Sequence, residues 1–454
     1  MKAKSTMNTS RTIWVLIPVL VLVLLVGYMG VRNHEQATAP VHKRIPVYYW
    51  HMWTSEWGLT MNKVVDDFNA SQTKYEVIPL QIPYGESDTK FLTSVAGGEP
   101  PDVMTQWDDA ISGWSQEGIL QPLDTRMTPQ ELEFFKNGTY SGIHNNGWYK
   151  GHLYGMVMGV DVYACYYRPD QFKAAGLDPN HFPTTLEELT EDAKKLSVKD
   201  SSGELTRVGF LPTGITNFAP SFGGGFWDPA TSQVTLNTPA NVRALSYIVG
   251  VDNYYGMNNV MRFNSSLKSQ NGVSWPFIDG SFSITLDGEW RIKQLEQYAP
   301  NLKYEVAPLP PPAGGKAMAS GTAMNYLTIP SGARHPDGAW AFIKFWSGLD
   351  HPANSAKYNA DFYWLPSSPA MEQSPDYQAF LKQHPHYKTF VELAASKNLG
   401  VSPPVPYQLY LKDRILNASD LAERGTMTPE QALTSLEHEI AVEKSRRKEL
   451  GYDQ

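Results

Sequence analysis

The sequence predicts an α/β fold divided into two lobes. Its 454 residues are more than one compact core usually holds. Strand-like and helix-like segments alternate from residue 45 onward, which favours a mostly parallel sheet with helices on both faces. Residues 304–315 contain four prolines and have the composition of a linker, so we expect the chain to cross between the lobes there.

The first strand and helix follow from the spacing of apolar residues. Residues 45–50 alternate loosely and are rich in Tyr and Val, as expected for a strand. From Met61 onward, apolar residues recur at i, i+3, i+4 and i+7, which is the spacing of one helix face. This pattern predicts a helix after the strand, with Thr54 or Ser55 as its N-terminal cap.

A second strand, a second helix and a third strand are predicted next. Residues 75–82 have the composition of a strand, and an apolar helical stripe follows them. The glycines at 97–98 can end that helix in a left-handed turn. The prolines at 100–101 prevent its continuation, so residues 102–106 are predicted as the third strand.

Three later helices carry recognisable start or stop signals. Residues 183–188 offer a capping box ahead of an apolar stripe. Residues 339–346 form another apolar stripe, which Gly348 would end. Thr428 and Pro429 predict the cap and the first position of a terminal amphipathic helix.

The N-terminal segment contains a long apolar run. Residues 13–31 carry no charge and are long enough to span a bilayer, which needs about 17–25 apolar residues. Lys2, Lys4 and Arg11 precede the run, so the positive-inside rule leaves the N-terminus in the cytoplasm. Cleavage after the small residues 37–39 is the alternative, although the run is longer than an ordinary signal core. In either case, we expect the folded part to lie outside the cytoplasmic membrane.

Composition excludes several classes of protein. The 38 basic and 46 acidic residues give a net charge of −8, which argues against a nucleic-acid partner. The single cysteine, Cys165, rules out an internal disulfide framework. Aromatic residues make up 12% of the chain, and such residues are used where proteins grip flat, partly apolar ligands. A neutral solute fits this composition better than a polyanion.

Two runs in the first third carry a family resemblance. They are WHMWTSEWGLTMNKVVDDFN, which starts at Trp50, and GGEPPDVMTQWDDAISGW, which ends at Trp114. Their order and spacing resemble the first lobe of the sugar-binding family of extracellular solute-binding proteins, the maltose-binding-protein-like subunits of ABC importers. The resemblance implies a two-lobed periplasmic-binding-protein fold of type II that binds a carbohydrate, serves a permease and catalyses nothing. It also implies a monomer without a cofactor.

The same resemblance sets the expected lobe boundaries. The run GHLYGMVMGVDVYACYY from Gly151 is similar to the first crossover of the family, and residues 304–315 are similar to the return. No cysteine follows the apolar run, so this chain departs from the lipoprotein members. The expected organisation is an anchor and tether at 1–44, lobe 1 at 45–158, lobe 2 at 159–310, a lobe 1 return at 311–360, and lobe 2 helices at 361–454.

Candidate ligand residues follow first from the position of loops. In α/β sheets, ligands bind beyond the carboxyl ends of the strands. A sugar needs aromatic platforms for its C–H face and carboxylates or amides for its hydroxyls. Asp108 and Asp109 could instead cap the helix that follows them. The loops after the first and third predicted strands supply Trp53, Ser55, Glu56, Trp57, Gln106, Trp107, Asp108 and Asp109.

Other candidates rest on the glycine-rich run at 221–227 or on the resemblance. The glycine-rich run would bring Phe226 and Trp227 to the cleft. Asp161 matches a carboxylate after the family's first crossover, although a hinge hydrogen bond is its alternative role. The run from Asp287 to Trp290 resembles a motif of the second lobe whose tryptophan stacks on sugars. The resemblance therefore implies that the ligand is contacted by Asp161, Asp287, Glu289, Trp290, Trp364 and Tyr407.

Competing functions have less support in the sequence. No HExxH or CxxC spacing predicts a metal site, and no GxSxG elbow predicts a serine hydrolase. We therefore expect no enzyme, no metal and no cofactor. A binder of a phosphorylated solute such as glycerol 3-phosphate would need basic residues in the cleft, and the predicted loops offer few. A membrane-anchored glycan-acting enzyme and a sensory ectodomain are more distant alternatives.

Overall fold

The computed structural model describes residues 44–452, apart from 141–142, 144–146, 213, 268–273 and 350. Within this part, no helix is both long and apolar enough to cross a membrane. The predicted N-terminal membrane helix at 13–31 lies outside the described residues.

The described strands form one main sheet of eight strands and three small two-stranded sheets. The main sheet has the order β11-β6-β13-β3-β1-β2, with β12 also paired to β6 and β14 to β13. The strands are β1 (Ile45–His51), β2 (Tyr75–Gln81), β3 (Val103–Trp107), β4 (Trp148–Tyr149), β5 (His152–Leu153), β6 (Met156–Tyr167), β7 (Val198–Lys199), β8 (Leu205–Arg207), β9 (Trp227–Asp228), β10 (Gln233–Val234), β11 (Ile284–Gly288), β12 (Glu305–Ala307), β13 (Ala319–Thr328) and β14 (Asn398–Gly400).

Helices cover both cores, and short 3-10 helices in the described part of the chain lie at Asp124–Arg126 and Ala219–Phe222. The α-helices are α1 (Ser55–Ser71), α2 (Tyr84–Ala96), α3 (Asp108–Gln116), α4 (Pro129–Gly138), α5 (Pro169–Ala174), α6 (Leu186–Leu196), α7 (Ile215–Phe218), α8 (Pro239–Tyr255), α9 (Met257–Ser266), α10 (Pro276–Asp279), α11 (Trp290–Tyr298), α12 (Pro336–Ser347), α13 (Pro352–Phe362), α14 (Pro369–Glu372), α15 (Pro375–Gln383), α16 (Tyr387–Ala394), α17 (Gln408–Glu423) and α18 (Pro429–Glu449).

The centre of the main sheet is antiparallel, so the expectation of a mostly parallel sheet is wrong. Strand β1 is parallel to β3, but β13 is antiparallel to both β3 and β6. Strands β11 and β12 are also antiparallel to β6. The reason is that β6 and β13 are long strands that carry the chain past each other in opposite directions. They therefore bond directly, without the helical crossover that parallel neighbours need.

Two large hydrophobic cores lie on either side of β6 and β13, which we call the crossing strands. The first contains Tyr49, Phe342 and Trp346, and the second contains Phe172 and Leu433. Strand β6 contributes to both cores, because its successive side chains point to opposite faces of the sheet. After β13 the chain adds helices α12 to α16 to the first core and helices α17 and α18 to the second.

The helix ends follow the predicted chemistry. Thr185 accepts a hydrogen bond from the backbone of Glu188, and Thr428 forms a capping box with Gln431. Gly348 ends α12 in the left-handed region, with φ of 73°, where a side chain would be strained. These predicted boundaries are confirmed.

Candidate functional site

A cavity of about 220 Å³ lies where the two cores meet. One wall is the carboxyl end of β3 with the start of α3, which supply Trp107, Asp108 and Asp109. The opposite wall includes Asn217 and Phe226, which belong to segments packed on the second core. The floor is formed by β13, and α17 and residues 400–403 close the remaining side. We refer to this space as the cleft cavity.

Asp108 is a buried acid in the wall of this cavity. Its Oδ1 accepts a hydrogen bond of 3.3 Å from the backbone N–H of Met324, whereas its Oδ2 is buried without a hydrogen-bond partner in the described part of the chain. Burial, with the neighbouring charge of Asp109, raises the pKa of Asp108 to about 7, although the nearby Ser402 hydroxyl opposes the shift. An incoming hydroxyl could donate to this carboxyl oxygen.

Two polar side chains next to Asp108, those of Asp109 and Trp107, are already paired. Asp109 forms an ion pair with Lys412 of α17. Trp107 donates from Nε1 to Asn325 Oδ1 at 2.8 Å. Tyr84, which the sequence analysis did not select, covers the Trp107 ring with the two centroids 4.5 Å apart. The walls therefore combine a fixed aromatic surface with one open carboxyl oxygen.

The glycine-rich loop positions Phe226 through a buried asparagine. Asn241 accepts a hydrogen bond from Gly225 N–H at 2.9 Å and donates to Gly225 C=O at 2.9 Å. A Cβ on Gly224 would lie 2.3 Å from Asn241 Oδ1. The glycines therefore permit close contact with Asn241, and Phe226 reaches the cavity while Trp227 begins strand β9.

Asp161 and Glu289 form a buried carboxyl pair beside the cleft cavity. Asp161 Oδ2 accepts from Asn325 Nδ2 at 3.2 Å, and Glu289 Oε2 accepts from Val162 N–H at 3.2 Å. Burial raises the pKa of both groups, and a hydrogen bond between the two side chains adds to the shift for Glu289. The pair therefore holds a shared proton near neutral pH. Neither residue lines the cleft cavity, and Glu289 is fully buried.

Trp290 packs against strand β6. Its indole meets the Tyr163 ring edge-on, with centroids 5.8 Å apart, and lies directly over Gly288. Asp287 forms a 2.8 Å ion pair with Arg291. Trp290 does not line the cleft cavity, whereas Asp287 lines a second cavity of about 610 Å³. The two cavities share Tyr163 as a wall.

The candidates after the first strand lie in a separate group beside Trp364. Trp53 meets Trp364 edge-on, with centroids 5.4 Å apart, and Trp364 is buried in the first core. Lys293 Nζ lies 5.9 Å from the Trp57 ring centroid. Burial lowers the pKa of Lys293, and the negative charge of Glu56 opposes part of that shift. This group does not line the cleft cavity.

The side chains of Gln106 and Tyr407 serve local packing. The Gln106 side chain donates to Asp88 at 2.8 Å and accepts from the Trp107 N–H. Tyr407 is buried in the second core at the start of α17, and Ser55 begins α1. Of the sixteen candidates, those that line the cleft cavity are Trp107, Asp108, Asp109 and Phe226.

Sequence reasoning missed several residues of the cavity wall. Thr216 and Asn217 follow the segment that pairs with Phe282, so the rule about strand ends could have selected them. Tyr163 and Lys412 had no local signal, because their positions depend on contacts across the chain. Among the residues that the structure describes, no group of three His, Cys, Asp or Glu side chains could hold a metal ion.

The sequence profile of the family described as "Bacterial extracellular solute-binding protein" matches residues 63–389. The chain belongs to this family. The predicted membership is confirmed, and with it the role of an ABC importer binding component that acts outside the cytoplasm and is not an enzyme. The two-lobed α/β solute-binding fold is confirmed as well.

This solute-binding protein is similar to proteins named for different ligands. It is 22% identical over 409 residues to the sn-glycerol-3-phosphate-binding periplasmic protein UgpB of Shigella dysenteriae, covering 85% of this chain and 89% of that protein. It is 23% identical to the maltotriose-binding protein of Pyrococcus abyssi, covering 66% and 62%. The solved structure of CpMnBP1 with mannotriose bound has a TM-score of 0.75 and 26% identity, covering 87% of this chain and 100% of that one.

Proposed function

We propose that this protein captures a carbohydrate, a mono- or oligosaccharide, in the cleft cavity and delivers it to an ABC permease. The observation that carries the proposal is the buried, unpartnered Oδ2 of Asp108 beside the rings of Trp107 and Phe226. A carboxylate accepts strong hydrogen bonds from hydroxyls, and an aromatic face packs on the C–H groups of a sugar. Similarity to CpMnBP1, whose structure holds mannotriose, supports the same class of ligand.

A phosphorylated solute fits the charges of the cleft cavity less well. Among the described residues that line it, Lys412 is the one cation, and it is paired with Asp109. A phosphate would therefore meet the open carboxyl of Asp108 without a free positive partner. This charge arrangement disfavours glycerol 3-phosphate, despite the similarity to UgpB.

Capture requires the two lobes to close around the ligand. Trp107, Asp108 and Asp109 come from one side of the cleft cavity, and Asn217 and Phe226 come from the other. A ligand that contacts both sides binds the closed form better and shifts the population toward it. In this proposal Asp161 and Glu289 hold the crossing strands in register and position the wall, without direct contact to the sugar.

We also propose how the protein is held and how it is assembled. Residues 13–31 would anchor it to the cytoplasmic membrane, and cleavage after residue 39 is the alternative. We expect it to act as a monomer, because its predicted site is complete within one chain.

A thermal-shift screen tests the proposal directly. The full chain is heated with mannobiose, mannotriose, maltose, maltotriose, their monosaccharides and glycerol 3-phosphate in turn. A ligand at 100 times its dissociation constant should stabilise the native state by about 2.7 kcal/mol. We expect at least one neutral sugar to raise the melting temperature by several degrees. Stabilisation by glycerol 3-phosphate without any response to sugars would contradict the proposal.

A further inference from the structure

The second cavity contains a buried acid without a partner. Asp252 lies near the end of α8, is 5% exposed, and lines the 610 Å³ cavity. Its carboxylate forms no hydrogen bond and no ion pair with any residue in the described ranges. The charged form of such an acid is unfavourable in the empty protein, because burial reduces its hydration and no described protein group donates to it.

Among the residues that the structure describes, the charged groups around Asp252 do not compensate its negative charge. Glu423 faces it from α17, and the Ser419 hydroxyl donates to Glu423 at 2.7 Å. Arg424 is bound to Asp420 at 2.7 Å, and Arg291 is bound to Asp287 at 2.8 Å. Arg424, the arginine among the described lining residues, is therefore paired with another acid, and so is Arg291, which lies outside the lining. The described charges give the space in front of Asp252 and Glu423 a negative potential.

The rest of the wall is mixed, because the polar side chains of Asn264 and Thr285 line it together with an apolar part that leads toward the cleft cavity. Leu211, Met257, Val260 and Phe282 line the second cavity, and Tyr163 separates it from the cleft cavity. Helix α17 runs along both spaces, with Lys412 at one and Glu423 at the other. Eleven helical residues span about 16 Å. A ligand that occupies both cavities must be longer than a single sugar ring.

We propose that the second cavity is a subsite for an ammonium group, so that the ligand is an oligosaccharide with an amino-sugar unit whose –NH₃⁺ pairs with Asp252 and Glu423. This inference rests on the proposed carbohydrate binding at the cleft cavity. An ammonium group supplies three donors and one positive charge, which is what the two carboxylates lack. The apolar part of the wall, at Leu211, Val260 and Phe282, then packs against the ring carbons of the same unit.

Binding of this kind is linked to pH. Burial and the charge of Glu423 raise the pKa of Asp252 to about 7, so the empty site is partly protonated at neutral pH. The other titratable groups that line the space are Asp287, Asp420, Arg424 and Tyr163. An ammonium ligand favours the ionised form of Asp252 and displaces its proton. Affinity for the amino sugar should therefore rise between pH 5 and pH 7.

The test compares amino and neutral sugars by titration calorimetry on the full chain. The probes are the deacetylated β-1,4-linked glucosamine disaccharide and trisaccharide, their N-acetylated forms, maltose and mannobiose. We expect the free amine to bind at least 10-fold more tightly than its acetylated form at pH 7. Asp252→Asn should remove most of that difference and change the affinity for neutral sugars less than 2-fold. Glu423→Gln should act in the same direction, and Glu437→Gln on an exposed helix face is the matched control.

Two outcomes overturn the inference, and they differ in what else they overturn. If neutral sugars bind but the amine gives no advantage, or if Asp252→Asn weakens amino and neutral sugars equally, the ammonium subsite is wrong and the proposed function stands. If no sugar of either kind binds, both proposals are wrong. Should Asp252→Asn fail to fold, Glu423→Gln and the pH dependence of the wild-type protein decide the question.

Discussion

Replacing Asp108 by Asn should stabilise the empty protein and weaken ligand binding. The pKa of Asp108 is raised from 3.8 to about 7, so the folded state binds this proton more tightly than the unfolded state does. Native stability therefore falls as the pH rises from about 4 to about 7 and stays low above that range. A shift of about three pH units corresponds to roughly 4 kcal/mol at most. Asn keeps the acceptor for Met324 N–H and removes the charge.

The expected gain is about 1–3 kcal/mol at pH 8 and close to zero at pH 4, because the amide still lacks one partner and recovers only part of the penalty. Chemical denaturation at the two pH values measures it. In calorimetry the same variant should bind sugar about 10- to 100-fold more weakly, since a hydrogen bond to a charged group contributes about 1.5–3 kcal/mol. The exposed Asp376→Asn serves as control.

A variant with unchanged stability at pH 8 would refute the assignment of Asp108 as an uncompensated buried acid. Unchanged affinity for the sugar would refute its role as a hydroxyl acceptor. The two measurements are independent. A gain in stability without a loss of affinity would mean that Asp108 is a destabilising buried acid and that the ligand binds at another site.

Three further substitutions test other parts of the account. Trp107→Ala should weaken sugar binding at least several-fold in calorimetry, because a buried aromatic side chain contributes about 1.5–3 kcal/mol; a wild-type affinity would contradict this. Gly288→Ala places a Cβ 1.9 Å from the Trp290 ring, and such overpacking should cost about 1–3 kcal/mol in urea denaturation. Glu289→Gln gives Asp161 a permanent donor, so stability above pH 6 should rise and its pH dependence should flatten; a variant that titrates like wild type would rule out the shared proton.

Local sequence patterns correctly predicted the features that depend only on residues close in sequence. The position of β3 followed from the apolar helical stripe before it, the glycines at 97–98 and the prolines at 100–101. The rule about strand ends then selected Trp107, Asp108 and Asp109. The helix caps at Thr185 and Thr428 were likewise predicted from a few neighbouring residues. These features follow from spacing alone because their physical causes lie within a few residues.

Contacts between distant segments could not be predicted in the same way. Asp161 and Glu289 were both selected as ligand contacts, but they face each other as a carboxyl pair. This pair forms because β6 and β11 are neighbouring strands. Lys412 reaches Asp109 from the last third of the chain. The antiparallel pairing of β6 and β13 depends on the path between the lobes, which hydrophobic periodicity does not encode.

The most direct test of the account is a calorimetric comparison of neutral sugars with a phosphorylated solute on the wild-type full chain. Mannotriose, maltotriose and sn-glycerol 3-phosphate are titrated under the same conditions at low salt. We expect measurable affinity for at least one neutral sugar and none for glycerol 3-phosphate, because Lys412, the cation among the described residues of the cleft cavity, is already paired with Asp109. Tight binding of glycerol 3-phosphate, with no heat from either sugar, would contradict it.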